Sequence, residues 1–238
     1  MRFLLGVALV LIGSSLAGAT GTEIHPVVPF TPVFAADQKD ISFNSLYQEL
    51  GQFSMLEAWH SILGALEIKT IESKNLQIEL NRQAELNRQG AGKGADYELA
   101  EYQYKASLLK INELKIQSEG ARLQAEVTRL GILQEGDQSR DLRKDVAQLM
   151  KKQLDNKLLA QQAQVESQSL TALYLYERLK TARLLNAKKI LSDEEMKTRQ
   201  LNYLASRFQI LTLNRQIQVT KMSIAAMERT LKRLFSTP

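Results

Sequence analysis

Cysteine is absent from this 238-residue chain, and proline is absent from every position between Val33 and Thr237. The first absence excludes a disulfide framework, a thiol nucleophile and a cysteine-borne lipid anchor. The second removes the residue that ends helices by deleting a backbone donor and clashing with the preceding turn. Aromatic residues make up only 6% of the chain, glycine occurs 12 times, and His25 and His60 are the only histidines. Charge of one sign is lacking too: the formal net charge is +5, with Lys and Arg scattered among Glu and Asp. That scatter reads as solvated helix faces, and nucleic-acid binding would require a clustered basic stripe.

What fills the proline-free stretch is Leu, Ile, Gln, Glu, Lys, Arg and Ala at heptad spacing. The clearest register runs Met196, Tyr203, Ile210, Ile217, Ile224, Leu231, with Ser206, Leu213, Thr220, Met227 and Leu234 three residues after each from Tyr203 onward. This is the a/d seam of a coiled coil. The expected fold is all-α: two long antiparallel helical hairpins in series, an elongated four-helix architecture.

The ends differ in character. Met1-Arg2, the apolar run Phe3 to Ile12 and then Ala17-Gly18-Ala19 have the charged start, short apolar core and small-residue cleavage site of a secretory signal peptide, assigned to residues 1–19. The run is too short for a membrane span of about 20 residues, although an uncleaved anchor is the competing reading. The expected compartment is a bacterial periplasm, with association at the outer membrane as a variant. Residues 20–54 form a Pro-rich arm, with Pro26, Pro29 and Pro32 at every third position, followed by a short helix from Phe43 to Leu50 that Gly51 ends.

Glycines divide the remainder. Gly90, Gly92 and Gly94 mark one break, Gly131 and Gly136 a second, and Asn186 to Ser192 a third. These breaks predict helices over Met55 to Gln89, Asp96 to Leu133, Ser139 to Leu185 and Asp193 to Phe235. The hairpins occupy residues 55–133 and 139–238, with a junction at 134–138. Short connections imply antiparallel neighbours, so both hairpin tips lie at one end. Ser192 and Glu195 have capping-box spacing at the second tip, and Asp96 is the expected cap at the first. Gly90 to Gly94 is not a phosphate loop, because Gly94 stands where a P-loop places Ser or Thr after its lysine.

The second predicted helix carries more apolar rows than one partner requires. Tyr102, Leu109, Ile116, Leu123 and Leu130 form one row, and Ala100, Ser107, Leu114, Ala121 and Thr128 another. The helix therefore has two packing faces. The small residues Ala100, Ser107, Ala121 and Ala125 are candidates for close packing between protomers, with a closed four-helix bundle as the alternative.

Residues Ala58-Trp59-His60 through Gln89-Gly90-Ala91-Gly92-Lys93-Gly94-Ala95-Asp96, then Leu99-Ala100-Glu101 and the run to Leu130-Gly131, resemble the coiled-coil hairpin of the TolC-like outer-membrane efflux family. The second hairpin, with Leu191-Ser192-Asp193-Glu194-Glu195-Met196, is similar instead to the α-hairpin of periplasmic adaptor (membrane fusion) proteins. Many adaptors present an Arg, a Leu four residues later and a Ser seven beyond that. Arg82, Leu86 and Lys93 occupy those places at the first tip, and Thr181, Leu185 and Ser192 at the second. The resemblance implies that Arg82, Leu86, Lys93, Leu185 and Ser192 dock on a partner. The chain shows neither the alternating strands of a membrane barrel nor the β-rich domains that flank an adaptor's hairpin, so channel formation and membrane insertion do not carry over.

One catalytic motif merits a test. Glu57-Ala58-Trp59-His60 has the Glu-x-x-His spacing of di-iron bundles, which need a second copy on another helix; the other histidine, His25, lies in the Pro-rich arm. No Ser or Thr lies in a recognisable nucleophilic context. The sequence thus predicts a non-enzymatic periplasmic coiled-coil component of an efflux or secretion assembly, without cofactor or metal. Its partners would be proteins of a cell-envelope transport complex, in a homo- or hetero-oligomer compatible with peripheral membrane association. The alternatives are a periplasmic holdase with helical arms and a helical-bundle metal enzyme.

Overall fold

With no proline to interrupt them, the heptad-patterned segments form four α-helices in a computed structural model that describes residues 43–136 and 142–236. They are α1 (Phe43–Arg88), α2 (Gly94–Gly136), α3 (Arg143–Ala187) and α4 (Asp193–Ser236), and no strand occurs among the described residues. Their lengths of 46, 43, 45 and 44 residues correspond to about 65 to 69 Å each at 1.5 Å per residue. The segment read as a signal peptide, the Pro-rich arm up to residue 42 and residues 137–138 of the junction lie outside the described residues.

The first long helix starts earlier than the sequence reading placed it, for a physical reason. The short helix expected from Phe43 to Leu50 is the opening of α1, which runs through Gly51 without a break. α2 passes Gly131 as expected and ends at Gly136, three residues beyond the expected Leu133. An internal glycine costs a helix about 1 kcal/mol relative to alanine, and here both glycines lie where α1 and α2 approach each other. A β-carbon on Gly51 would stand 3.5 Å from Thr128 Cγ2, and one on Gly131 would meet the Gln48 side-chain oxygen. Just past Gly51, Gln52 and Leu56 are buried, so packing continues across the glycine and holds the helix together.

The seam read on the last helix is the seam observed. Every residue of α4 from Met196 to Leu234 that is not exposed falls on the alternating three- and four-residue spacing. Ser206, Ile217 and Thr220 are its buried centre. This stripe packs on α3, with the Tyr176 and Tyr203 rings 5.5 Å apart and Lys151 Nζ 3.4 Å from a Glu228 carboxylate oxygen.

The order of packing is α1 on α2, α2 on α3 and α3 on α4, and no other pair of these helices packs along its length. The four helices therefore form an open series and not a closed bundle. Both packing faces of α2 are used within the chain. Ser107 Oγ lies 2.9 Å from Ser73 Oγ on α1. On the other face Tyr102 stacks on Tyr174 of α3 with centroids 4.1 Å apart and planes 11° from parallel. Further along the same junction Asn156 Nδ2 donates to the Ile116 carbonyl at 2.9 Å. Gly120 is the reason that bond fits, because a β-carbon there would fall 2.7 Å from Asn156 Nδ2.

Candidate functional site

Both hairpin tips leave their helix by the same backbone route. Gly90 has φ +71° and Lys189 φ +58°, the left-handed conformation that commonly closes a helix. At the first tip the Gly90 N–H donates to the Asn87 carbonyl at 3.1 Å and the Ala91 N–H to the Leu86 carbonyl at 3.0 Å. At the second the Lys189 N–H donates to the Asn186 carbonyl at 2.8 Å and the Ile190 N–H to the Leu185 carbonyl at 2.9 Å. These paired bonds satisfy the last carbonyls of α1 and α3.

Leu86 and Leu185 consequently hold the same place in two equivalent turns. Each carbonyl takes a second N–H, from Gly92 at 2.9 Å and from Leu191 at 3.4 Å. Lys93 and Ser192 follow seven residues after their leucines, each directly before the returning helix. Both leucines are half-buried, whereas Arg82, Lys93 and Ser192 are exposed. Arg82 pairs with Glu79 at 2.9 Å. The hydrogen bond from Arg82 holds the Glu79 carboxyl below its ordinary value and raises the Arg82 guanidinium in turn.

The two returning helices start differently. The Glu195 N–H donates to Ser192 Oγ at 3.2 Å, and the Ser192 N–H donates to Glu195 Oε2 at 3.3 Å, the reciprocal pair of a capping box. At the first tip Asp96 is not the cap the sequence suggested. The Lys93 carbonyl accepts from the Asp96 N–H at 3.0 Å, so α2 starts earlier and Asp96 stands inside its first turn. There its carboxylate faces the positive end of the helix dipole.

The tips share one end because α2 and α3 are antiparallel. From the Tyr102–Tyr174 stack, α2 continues eight residues to Gly94 and α3 thirteen to Ala187. The five-residue excess sets the second tip about 7 Å beyond the first. At its apex sits Ile190, an exposed apolar side chain, and Asn186 braces the turn by donating to the Leu191 carbonyl at 3.0 Å and to Asp193 Oδ1 at 2.8 Å. Sequence reasoning passed over Ile190 and took Asn186 only as the start of the break. The signal was available in Ile190, an apolar residue following two lysines in a turn.

The residues expected to pack between protomers lie elsewhere. Ala100, Ser107 and Ala125 are buried within the single chain, and Ala121 is half-buried. The row that holds Ser107 and Thr128 is turned towards α1, through Ser73 and Gly51. Trp59 is buried, while Glu57 and His60 are exposed, with the Trp59 and His60 rings 4.8 Å apart. No group of three His, Cys, Asp or Glu side chains suited to a metal ion occurs among the described residues.

A groove of about 670 Å³ opens over α3 between α2 and α4, with Glu113, Gln164, Ser167, Phe208 and Thr212 in its walls. Its charged pair, Lys110 and Glu113, is a surface contact of 2.9 Å one turn apart on α2. Among the described residues no helix is long and apolar enough to cross a membrane. No protein-family model, curated protein or solved structure matches the chain.

Proposed function

We propose that this chain is a periplasmic coiled-coil component of a bacterial efflux or secretion assembly, acting by docking its two hairpin tips onto a partner's hairpin. The observation that carries this reading is the repetition of one tip design. Leu86 and Leu185 occupy the same position in two turns of the same bonding pattern, at one end, each followed at the same spacing by an exposed polar residue. Apolar residues at this place commonly accompany such helix ends; what the docking reading adds is the exposed Ile190, Lys93 and Ser192 beside them. The resemblance of these segments to efflux and adaptor hairpins supports the same role, and the signal-like first 19 residues support the periplasm.

The exposed apex residue provides the cleanest test. Hot-spot residues at the centre of a contact cost about 2 kcal/mol or more when removed, whereas exposed substitutions change stability by about 0.5 kcal/mol. Ile190→Asp combined with Lys93→Glu is expected to leave helicity and melting nearly unchanged. The same variant should lose crosslinking to a partner hairpin, together with the resistance or secretion phenotype of a deletion strain. Adding Leu86→Asp and Leu185→Asp extends the loss, with some cost in stability since both leucines are half-buried. Full complementation by the well-folded tip variant would exclude tip docking.

A second reading, the holdase, draws on the apolar side chains left open on α1 and α4, such as Ile78 and Phe208. Suppression of client aggregation that is insensitive to the tip substitutions would favour it.

A further inference from the structure

α1 and α4 each pack on a single neighbour, yet each carries a second apolar stripe turned away from it. On α4, Leu201, Leu204, Phe208 and Leu211 are exposed, Phe208 by 66%, and none belongs to the seam packed on α3. On α1, Ile68, Ile71 and Ile78 are exposed, Ile78 by 67%, with Asn75 completing the same spacing. Single exposed apolar residues need no explanation. Rows at alternating steps of three and four residues are different, since that spacing puts them on one face of a helix as a coiled-coil seam does.

The two stripes lie at the same height. Ser73 of α1 is opposite Ser107 of α2. Tyr102 faces Tyr174 on α3, so the level of Ser107, five residues on, is that of Ser169. Tyr176 faces Tyr203 on α4, so the level of Ser169, seven residues back, is that of Ile210. Carried outward from Ser73 and Ile210, Ile71 is level with Leu211 and Ile78 with Leu204, each within about one residue rise of 1.5 Å. Asn75 is level with Phe208, and Ile68 and Glu67 with Arg215, each within about one residue rise. Ile71 and Ile78 are seven residues apart, as are Leu204 and Leu211, so the rungs stay matched over two turns.

Charge agrees with this pairing. α1 has two more carboxylates than cations, and α4 four more cations than carboxylates. Between Met196 and Met227, α4 carries five cations and no carboxylate. Helices of opposite net charge attract along their flanks, which selects partner and orientation.

We propose that the two stripes are halves of one interface between copies of this chain: α4 of one copy packs antiparallel along α1 of the next, with both pairs of tips at the same end. The contact is heterologous and repeats from copy to copy, giving a ring if the rotation closes. It continues the alternation already present in the chain, where each helix packs antiparallel on the next. The proposal is independent of tip docking, since it uses the sides of the hairpins and a different set of residues.

Because the chain has no cysteine, engineered thiols read the contact directly. Full-length Ile71→Cys and Leu211→Cys variants are prepared separately, mixed, and oxidised. The expected result is a crosslinked dimer in the mixture and none with either variant alone. The Ile71→Cys/Leu211→Cys double variant should give a ladder of crosslinked multimers. Phe208→Glu with Leu211→Glu, both on exposed positions, should keep full helicity by circular dichroism while shifting sedimentation to the monomer. Wild type that sediments as a monomer at every concentration would overturn the proposal. So would a crosslink confined within one chain in the double variant, which would mean that α1 and α4 close on each other. Crosslinking by Leu211→Cys alone would overturn it in favour of an α4–α4 contact, and flotation with anionic phospholipid vesicles without self-association would assign the stripes to a lipid surface.

Discussion

Lys189 is held at φ +58° at the second tip, in the place where the first tip has glycine. A β-carbon in the left-handed region costs about 1 to 2 kcal/mol, and glycine is the residue that avoids it. Lys189→Gly is therefore expected to raise the melting temperature and Gly90→Ala to lower it, each by a few degrees, since about 1 kcal/mol moves a domain of this size by about 2 to 4 °C. Differential scanning calorimetry of the two variants checks the opposite signs, and shifts in the same direction would contradict the equivalence of the tips. At this scale legibility was uneven. The Ser192–Glu195 box was readable because both partners lie within four residues, and spacing alone decides whether they meet. Lysine carries no turn signal, so the left-handed Lys189 became visible only with the backbone.

Along each helix the charged side chains pair mostly with neighbours one turn away. Arg122 on α2 bonds Glu119 at 2.7 Å and Glu126 at 3.1 Å. The hydrogen bond from Arg122 is the main reason that the Glu119 carboxyl lies below its ordinary value. A carboxyl whose folded value is depressed contributes stability that is fully present above the unfolded value, about 4.3. That contribution is lost as pH falls through the lower folded value. Removing Glu119 should thus flatten the pH dependence on the acid side. The expected effect of Glu119→Gln is a few tenths of a kcal/mol at pH 7, in keeping with exposed pairs one turn apart, and none at a pH below both values. Urea midpoints at pH 7 and in acid measure it; an equal loss at both would show that packing rather than charge is responsible. The helices themselves were legible from proline absence and heptad spacing. The passage of α1 through Gly51 was not, because a glycine reads as a stop until the helix packed against it is known.

For the four helices together, the weak link is the junction between hairpins. The stack of Tyr102 on Tyr174, Tyr102 Oη 3.3 Å from Thr171 Oγ1, and the Asn156 bond to Ile116 join α2 to α3. An aromatic pair contributes about 0.5 to 1.5 kcal/mol beyond the area it buries. Tyr102→Ala is expected to loosen the coupling, so that the hairpins melt in separate steps. Calorimetric enthalpy would then exceed the van't Hoff value, the sign of departure from two-state unfolding. A single sharp transition in the variant, at equal enthalpies, would show that the junction holds without the stack.

Taken by itself, the amino-acid sequence determined the all-α class, the four helices and the inner seam of α4, since these follow from chemistry repeated at fixed local intervals. It also marked both tips, where glycine, asparagine and a capping pair interrupt the repeat. Tertiary structure alone decided which apolar faces stay inside the chain. A heptad stripe on α2 and one on α4 look alike in sequence, but Ala125 is fully buried while Phe208 stands open. The reason is connectivity: a helix in the middle of an open series has two neighbours, and a helix at its edge has one.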